Sequence, residues 1–235
     1  MSYQSKFAGA QFVSTIANIV RSKGITLHVG TNFAEYAEIV ATDRSHQPLG
    51  DPFNHELHDM GPGKGFWIVG HNEMGKLVHT QAVRLLDMQN QTLAEYLTAN
   101  FRAFPPSGIE LDMDASNYSP GPAAHRINGK VCYHGDVWLA GGEDGYRGTG
   151  ISSVLARYAL ASALMTWSPD YMFAFMPQPF AFKGLAEREG YMHTEPGALE
   201  WHFAQTDDVM KGYMIYMDRY DLDWILDIPV QELVA

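Results

Sequence analysis

The sequence predicts a mixed α/β fold: a mostly antiparallel sheet with a central parallel strand pair and flanking helices. Three stretches carry that expectation. The first is Val131–Met176. Val131–Ala140 is apolar at most positions, Ile151–Trp167 holds no Gly or Pro, and Tyr171–Met176 is an apolar run closed by Pro177. Ile151, Val154, Leu155, Tyr158 and Met165 recur at helical spacing, and a short run apolar at every position suits a strand buried on both faces. Strand, helix and strand in this order make a parallel unit with a right-handed crossover. The second is Phe66–His71 and Lys76–Met88, which flank the turn His71-Asn72-Glu73-Met74-Gly75 and read as a hairpin. The third is Leu199–Ala204 and Tyr213–Asp218 around Thr206-Asp207-Asp208, which read as a second hairpin.

The remaining elements follow from local signals. Gln4–Ser22 carries Phe7, Phe12, Ile16 and Ile19 or Val20 on one face and stops at Lys23-Gly24, as an amphipathic helix would. Ile25–Val29 alternates like a strand, and Gly30-Thr31-Asn32 offers a turn and a cap for a second helix over Phe33–Ala41. Ala41–Gly65, rich in Asp, Asn, His, Pro and Gly, shows little periodicity. Thr92–Phe101 is helical, with Thr92 or Asn90 as its cap, and Pro105-Pro106 ends it. Phe104–Gly129 reads as a loop, and Leu222–Ala235 as a short helix or strand. No repeat or linker divides the chain, so residues 1–235 are expected to form a single domain.

Composition narrows the function classes. The formal net charge of −11 argues against a nucleic-acid partner, because phosphate contacts need clustered Lys and Arg. It is compatible with a cationic or amine substrate, but plain solubility is the weightier explanation. No apolar run approaches the ~20 residues of a membrane helix, and the N-terminus lacks a basic-then-apolar signal. The single cysteine, Cys132, excludes an internal disulfide and lies in a core strand. These features together suggest a cytoplasmic protein with no membrane partner. His55-Glu56-Leu57-His58 invites a metal site, but its histidines are three apart, whereas the zinc-protease pattern needs four on a helix. Polar surface histidines are the expectation, and no metal.

Chemistry concentrates in Gly141–Gly150, which has five glycines in ten residues. Arg147-Gly148-Thr149-Gly150 immediately precedes a helix whose first N–H groups and partial positive charge would bind phosphate or carboxylate. Gly148 and Gly150 admit close approach, Arg147 adds a forked cation, and Ser152 and Ser153 add hydroxyls. A tight strand-to-helix turn without a ligand explains the same glycines. Gly148-Thr149-Gly150-Ile151-Ser152-Ser153 approaches a dinucleotide fingerprint but lacks its last glycine, and Asp170 precedes the second strand rather than following it.

Arg147-Gly148-Thr149-Gly150-Ile151-Ser152 resembles the acyl-CoA pyrophosphate loop of the GNAT N-acetyltransferases, Gln/Arg-x-x-Gly-x-Gly/Ala. Arg147 and Gly150 match, and Ser152 departs from Gly/Ala. Gly135-Asp136-Val137-Trp138-Leu139 is similar to the family's fourth strand, and Leu185–Tyr191 to its Tyr-x-x-x-Gly-Phe segment. The resemblance covers Val131–Tyr191 closely, the chain from Phe66 loosely and residues 1–65 poorly. It implies an N-acyltransferase that moves an acyl group from acetyl-CoA or another acyl-CoA to a small-molecule or peptide amine in a ternary complex, with a homodimer possible. It implies cofactor contacts at Val137, Trp138, Leu139, Arg147, Gly148, Thr149, Gly150, Ile151 and Ser152. It also implies a base at Asp136, eleven residues before Arg147. The family's acid tyrosine falls on Ala186, so a tyrosine elsewhere (Tyr213, Tyr216 or Tyr220), a water or direct loss of the thiolate would replace it. A non-catalytic acyl-CoA-binding protein is the alternative that Ala186 keeps open.

Overall fold

A computed structural model describes residues 3–142, 145, 146 and 148–230. In chain order the elements are α1 (Tyr3–Ser22), β1 (Ile25–Gly30), α2 (Phe33–Asp43), β2 (Gly65–Asn72), β3 (Leu77–Met88), α3 (Leu93–Asn100) and β4 (Leu111–Tyr118). There follow β5 (Gly129–Leu139), α4 (Ile151–Trp167), β6 (Tyr171–Pro177), α5 (Gln178–Ala181), α6 (Leu185–Glu189), β7 (His193–Phe203), β8 (Val209–Asp218) and α7 (Arg219–Trp224). The strands form one eight-stranded sheet in the order β1-β2-β3-β5-β6-β8-β7-β4, antiparallel except for β5 and β6. The parallel unit and both hairpins stand where the sequence puts them.

One expectation needs correction. Phe104–Gly129 is not loop throughout: β4 lies inside it and pairs with β7 at the sheet edge. Its sequence, Leu-Asp-Met-Asp-Ala-Ser-Asn-Tyr, carries strand-poor Asp and Asn on an exposed face, and such residues suit an edge strand that must not recruit another. Pairing with a strand some eighty residues later, through a register shift between Asp112 and Asn117, leaves no local trace. β7 also begins six residues earlier than the expected Leu199, at His193.

Apolar residues cover both sheet faces. On one, α4 is buried along most of its length and packs with α1 and α6 over Phe66, Ile68, Val83 and Cys132. A helix apolar nearly all round is stable only when covered on several sides, and α1 supplies the outer cover. On the other face, Phe33, Tyr36 and Val40 of α2 pack with Phe53, Trp67, Phe104, Tyr133 and Phe173. No helix among the described residues is long and apolar enough to cross a membrane.

The α2 face depends on a close approach. Trp67 lies close against Gly30, where an added Cβ would collide with the indole ring. The indole donates to the Asn32 carbonyl at 2.9 Å and stacks on Tyr36 at 5.5 Å. Gly30→Ala is therefore expected to displace Trp67 and lower stability by about 1–3 kcal/mol, as overpacking does. Urea unfolding would measure this, and an unchanged midpoint would show that the ring relocates freely.

Candidate active site

The parallel pairing of β5 and β6 is short: Val131 with Tyr171, Cys132 with Met172, and Tyr133 with Phe173. Beyond it both strands continue, to Leu139 and Pro177, held on their outer sides by β3 and β8. His134 and Ala174 thus begin a notch whose inner edges carry backbone groups with no strand partner. Such edges accept an extended, amide-bearing ligand much as a sheet accepts an added strand.

β5 is bulged at the notch. Thr80 of β3 faces Trp138 and Ala82 faces Gly135, so Asp136 and Val137 together oppose Gln81. Asp136 takes a φ of 53°, the left-handed conformation that one kind of bulge requires and that Asp tolerates better than most residues. Val137 is exposed at the notch, and Trp138 and Leu139 are half-buried.

The Asp136 side chain turns away from solvent into the α2 face. Arg44, just past the end of α2, approaches its Oδ1 at 2.7 Å, and the Tyr36 hydroxyl donates to Oδ2 at 2.5 Å. The side-chain exposures of Arg44 and Asp136 are 0% and 1%. Arg44 also donates to Thr80 Oγ1 at 2.5 Å, and Thr80 donates to the Asp136 carbonyl at 3.0 Å. Burial raises the proton affinity of Asp136, while Arg44, Tyr36 and the Gly50 N–H pull it down; burial is the larger influence. Sequence reasoning singled out Asp136 but neither Tyr36 nor Arg44, which lie 100 and 92 residues away in the chain.

Past the same end of β5, beyond Leu139, the glycine-rich turn enters α4. Gly148 and Gly150 both have positive φ, 82° and 74°. Gly150 is the cap residue and offers no side-chain acceptor. Apart from Thr149 Oγ1, 3.4 Å from the Ile151 nitrogen, no side chain among the described residues caps the helix start. Gly148 and Thr149 are exposed, Gly150 and Ser152 half-buried, and Ile151 buried in the core with Val154 and Leu155. Arg147 lies outside the described residues.

Ala186 is fully buried among apolar neighbours. Of the tyrosines considered in its place, Tyr220 is 84% exposed, Tyr216 stacks on His193 and Tyr213 packs edge-on to Phe182. The residue beside the notch is another, Tyr191. Its hydroxyl lies 2.9 Å from His134 Nδ1, and His134 Nε2 lies 3.0 Å from Gln81 Oε1. Gln81 Nε2 donates to the Leu155 carbonyl at 2.8 Å, so its oxygen accepts from His134 Nε2–H, and Nδ1 accepts from Tyr191. Burial holds His134 down to about 3 and His79 to about 4, so both imidazoles are neutral. Near Tyr191, burial pushes Glu189 up to about 7.

Two cavities border the α2 face. One, of about 490 Å³, lies at the start of α2 and includes His55, His58 and Asp59. Among the described residues no group of three or more His, Cys, Asp or Glu could hold a metal ion. The other, of about 310 Å³, lies between Pro48–Asp51 and Pro105–Met113. Its wall includes Leu49 and Asp51, on either side of the Gly50 that contacts Asp136.

The strand order, the single parallel pair with its α4 crossover and the notch give the chain a GNAT-like fold. Solved structures similar to it include an N-acetyltransferase from Staphylococcus aureus Mu50, at 13% identity and a TM-score of 0.43 over 83% of this chain and 98% of that one. Arabidopsis thaliana NAA60 with a bisubstrate analogue is similar at 10% identity and 0.46, over 82% and 98%. FeeM, an N-acyl amino acid synthase from uncultured soil microbes, is similar at 11% and 0.48, over 84% and 97%. No family model matches the chain, and no curated protein matches it in sequence.

Two outcomes follow from the buried polar groups. Asp136→Asn leaves the Arg44 guanidinium buried without a counter-charge, and stability is expected to fall by about 3–5 kcal/mol; denaturant unfolding that shows no loss would mean Arg44 finds water. His79 and His134 titrate lower folded than unfolded. Their contribution is complete above about 6.5 and is lost as pH falls from there toward the folded values, at up to about 1.4 kcal/mol per pH unit each. The melting temperature should fall steadily below pH 6.5, and a His134→Gln variant that folds should show a shallower slope.

Proposed function

We propose that this chain is an acyl-CoA-dependent N-acyltransferase, using acetyl-CoA or another acyl-CoA as co-substrate. The observation that carries the proposal is the notch between β5 and β6, which opens beside the uncapped start of α4. An acyl-CoA has two parts that suit these two features. Its diphosphate suits the first-turn N–H groups of α4, with Gly148, Thr149, Gly150, Ile151 and Ser152 around it and Arg147 as an added cation. Its amide-bearing arm suits the unpaired edge of β5 at Val137, Trp138 and Leu139.

With both held, an amine entering from the α2 face attacks the thioester carbonyl directly. The nitrogen–carbon bond forms, the thiolate leaves, and positioning supplies much of the rate. Asp136 is proposed as the base, acting through a water because its carboxylate is covered. Burial raises its proton affinity, the direction a carboxylate base needs. The thiolate either leaves unprotonated or takes its proton from water or from the Tyr191 hydroxyl. A non-catalytic acyl-CoA-binding role is favoured by the same cover over Asp136 and by Ala186; it predicts CoA binding without turnover of any amine.

Acetyl-CoA or CoA is expected to raise the melting temperature by mass action, and Gly150→Asp to abolish the effect by placing bulk and negative charge at the α4 start. Stabilisation by NAD and by no CoA species would sink the proposal. Asp136→Asn, assayed below its own melting temperature, should lower turnover most near neutral pH and least at high pH, where the amine is already deprotonated. A profile parallel to wild type would remove Asp136 from the chemistry.

A further inference from the structure

Three guanidiniums are buried in the described residues: those of Arg44, Arg84 and Arg157. Arg44 is paired with Asp136. Arg157 donates to the carbonyls of Ser153, Arg188 and Glu187, closing the end of α6, and feels the charge of Glu189. Arg84 differs from both. It is 7% exposed, yet no carboxylate among the described residues comes within ion-pair distance, and the groups that act on its charge are the hydroxyls of Tyr96 and Tyr133.

Its hydrogen bonds leave capacity. Nη1 donates to the Pro52 carbonyl at 2.7 Å, which accounts for one of five N–H groups. Nε and Nη2 have no acceptor among the described residues, and they are not among the buried polar atoms sealed without a partner, so they retain solvent contact. The guanidinium stands 5.9 Å from the Phe104 ring centre. A buried cation with no counter-charge is costly unless something outside the chain completes it.

The position of Arg84 gives that unfilled capacity a use. Arg84 sits on β3 opposite Tyr133, the last β5 residue before the notch. It shares its side of β3 with Thr80, which contacts Asp136, and with Ala82 of the α2-face core. The segment Pro48–Phe53 spans the distance between them. Gly50 touches Asp136, Pro52 accepts from Arg84, and Leu49 and Asp51 line the 310 Å³ cavity, whose far wall begins at Pro105, next to Phe104. Asp51 itself makes no ion pair with Arg84.

We infer that Arg84 binds the carboxylate of the acceptor, so that the amine this chain acylates belongs to a molecule bearing its own carboxylate, of the amino-acid class. The inference rests on the acyltransferase proposal and narrows it. The guanidinium fork takes both carboxylate oxygens on Nε and Nη2, while the amine of the same molecule extends toward the notch. The lining of the cavity by Pro, Leu, Ile and Met suits an apolar side chain on that acceptor.

The test compares acceptors that differ only in the carboxylate: leucine against isoamylamine, and tyrosine against tyramine. CoA release from acetyl-CoA is the readout. Wild type should prefer the acid of each couple by at least about tenfold in kcat/KM, as sites built around a polar partner do. Arg84→Met, which keeps the packing on Phe104, should abolish the preference chiefly through KM, and Arg84→Lys should retain part of it. Equal rates for acid and amine in wild type would overturn the inference, as would an undiminished preference in a folded Arg84→Met. If Arg84→Met fails to fold, the wild-type comparison and Arg84→Lys decide. If no couple turns over, calorimetric titration of the four compounds into acetyl-CoA-saturated protein decides instead: binding by the acids alone supports the inference, and no binding by either acid overturns it. The effect of acetyl-CoA on melting is measured separately. Its absence defeats the acyltransferase proposal, whereas its presence without acid preference defeats this inference alone.

Discussion

The buried contact between Arg44 and Asp136 ties α2 to the β5 bulge and to β3. Arg44 ends α2, Asp136 is the left-handed residue of the β5 bulge, Thr80 lies on β3, and Tyr36 stands in the middle of α2. Removing two charges from water is expensive, and Coulomb attraction alone often fails to offset it. Here the surroundings add what attraction lacks. The carboxylate takes the Tyr36 hydroxyl besides the guanidinium, and the guanidinium donates to Thr80 Oγ1 and the Gln47 carbonyl. Such a network has one geometry in which every member is satisfied. It therefore fixes the bulge, and the bulge fixes where β5 turns away from β6.

That parting has a cost of its own, because backbone groups are left without a sheet partner. Neighbours carry it. β3 and β8 hold the outer edges of the two strands, and Tyr133, Phe173, Phe175 and Phe104 pack against one another at the apex on the α2 face. On the opposite face the apex is polar but closed: Tyr191, His134, Gln81 and the Leu155 carbonyl form a chain in which each internal link is satisfied. An aromatic floor on one side and a hydrogen-bonded chain on the other keep the opening rigid.

Charge is distributed unevenly around this frame. Among the described residues Arg44 has a counter-charge and Arg84 has none, although both face α2 within a few residues of the notch. The segment Pro48–Phe53 lies over both, so a single wall separates a neutralised cation from an available one.

Periodicity and turn chemistry determined much of this protein by themselves. The parallel unit, both hairpins, the first helix and the glycine-rich entry to α4 were legible because each is written in contiguous residues, with apolar spacing and Gly, Pro or Asn at the breaks. Asp136 was legible as a position on β5, not as a group with partners. Tertiary structure alone decided what could not be local. The long-range register of β4 on β7 was one such matter, since an edge strand of Asp and Asn reads as a loop. The partners of Asp136, the chain from Tyr191 to Gln81 and the isolation of Arg84 were others. A buried charge is defined by what surrounds it, and its surroundings come from distant segments that only the folded chain brings together.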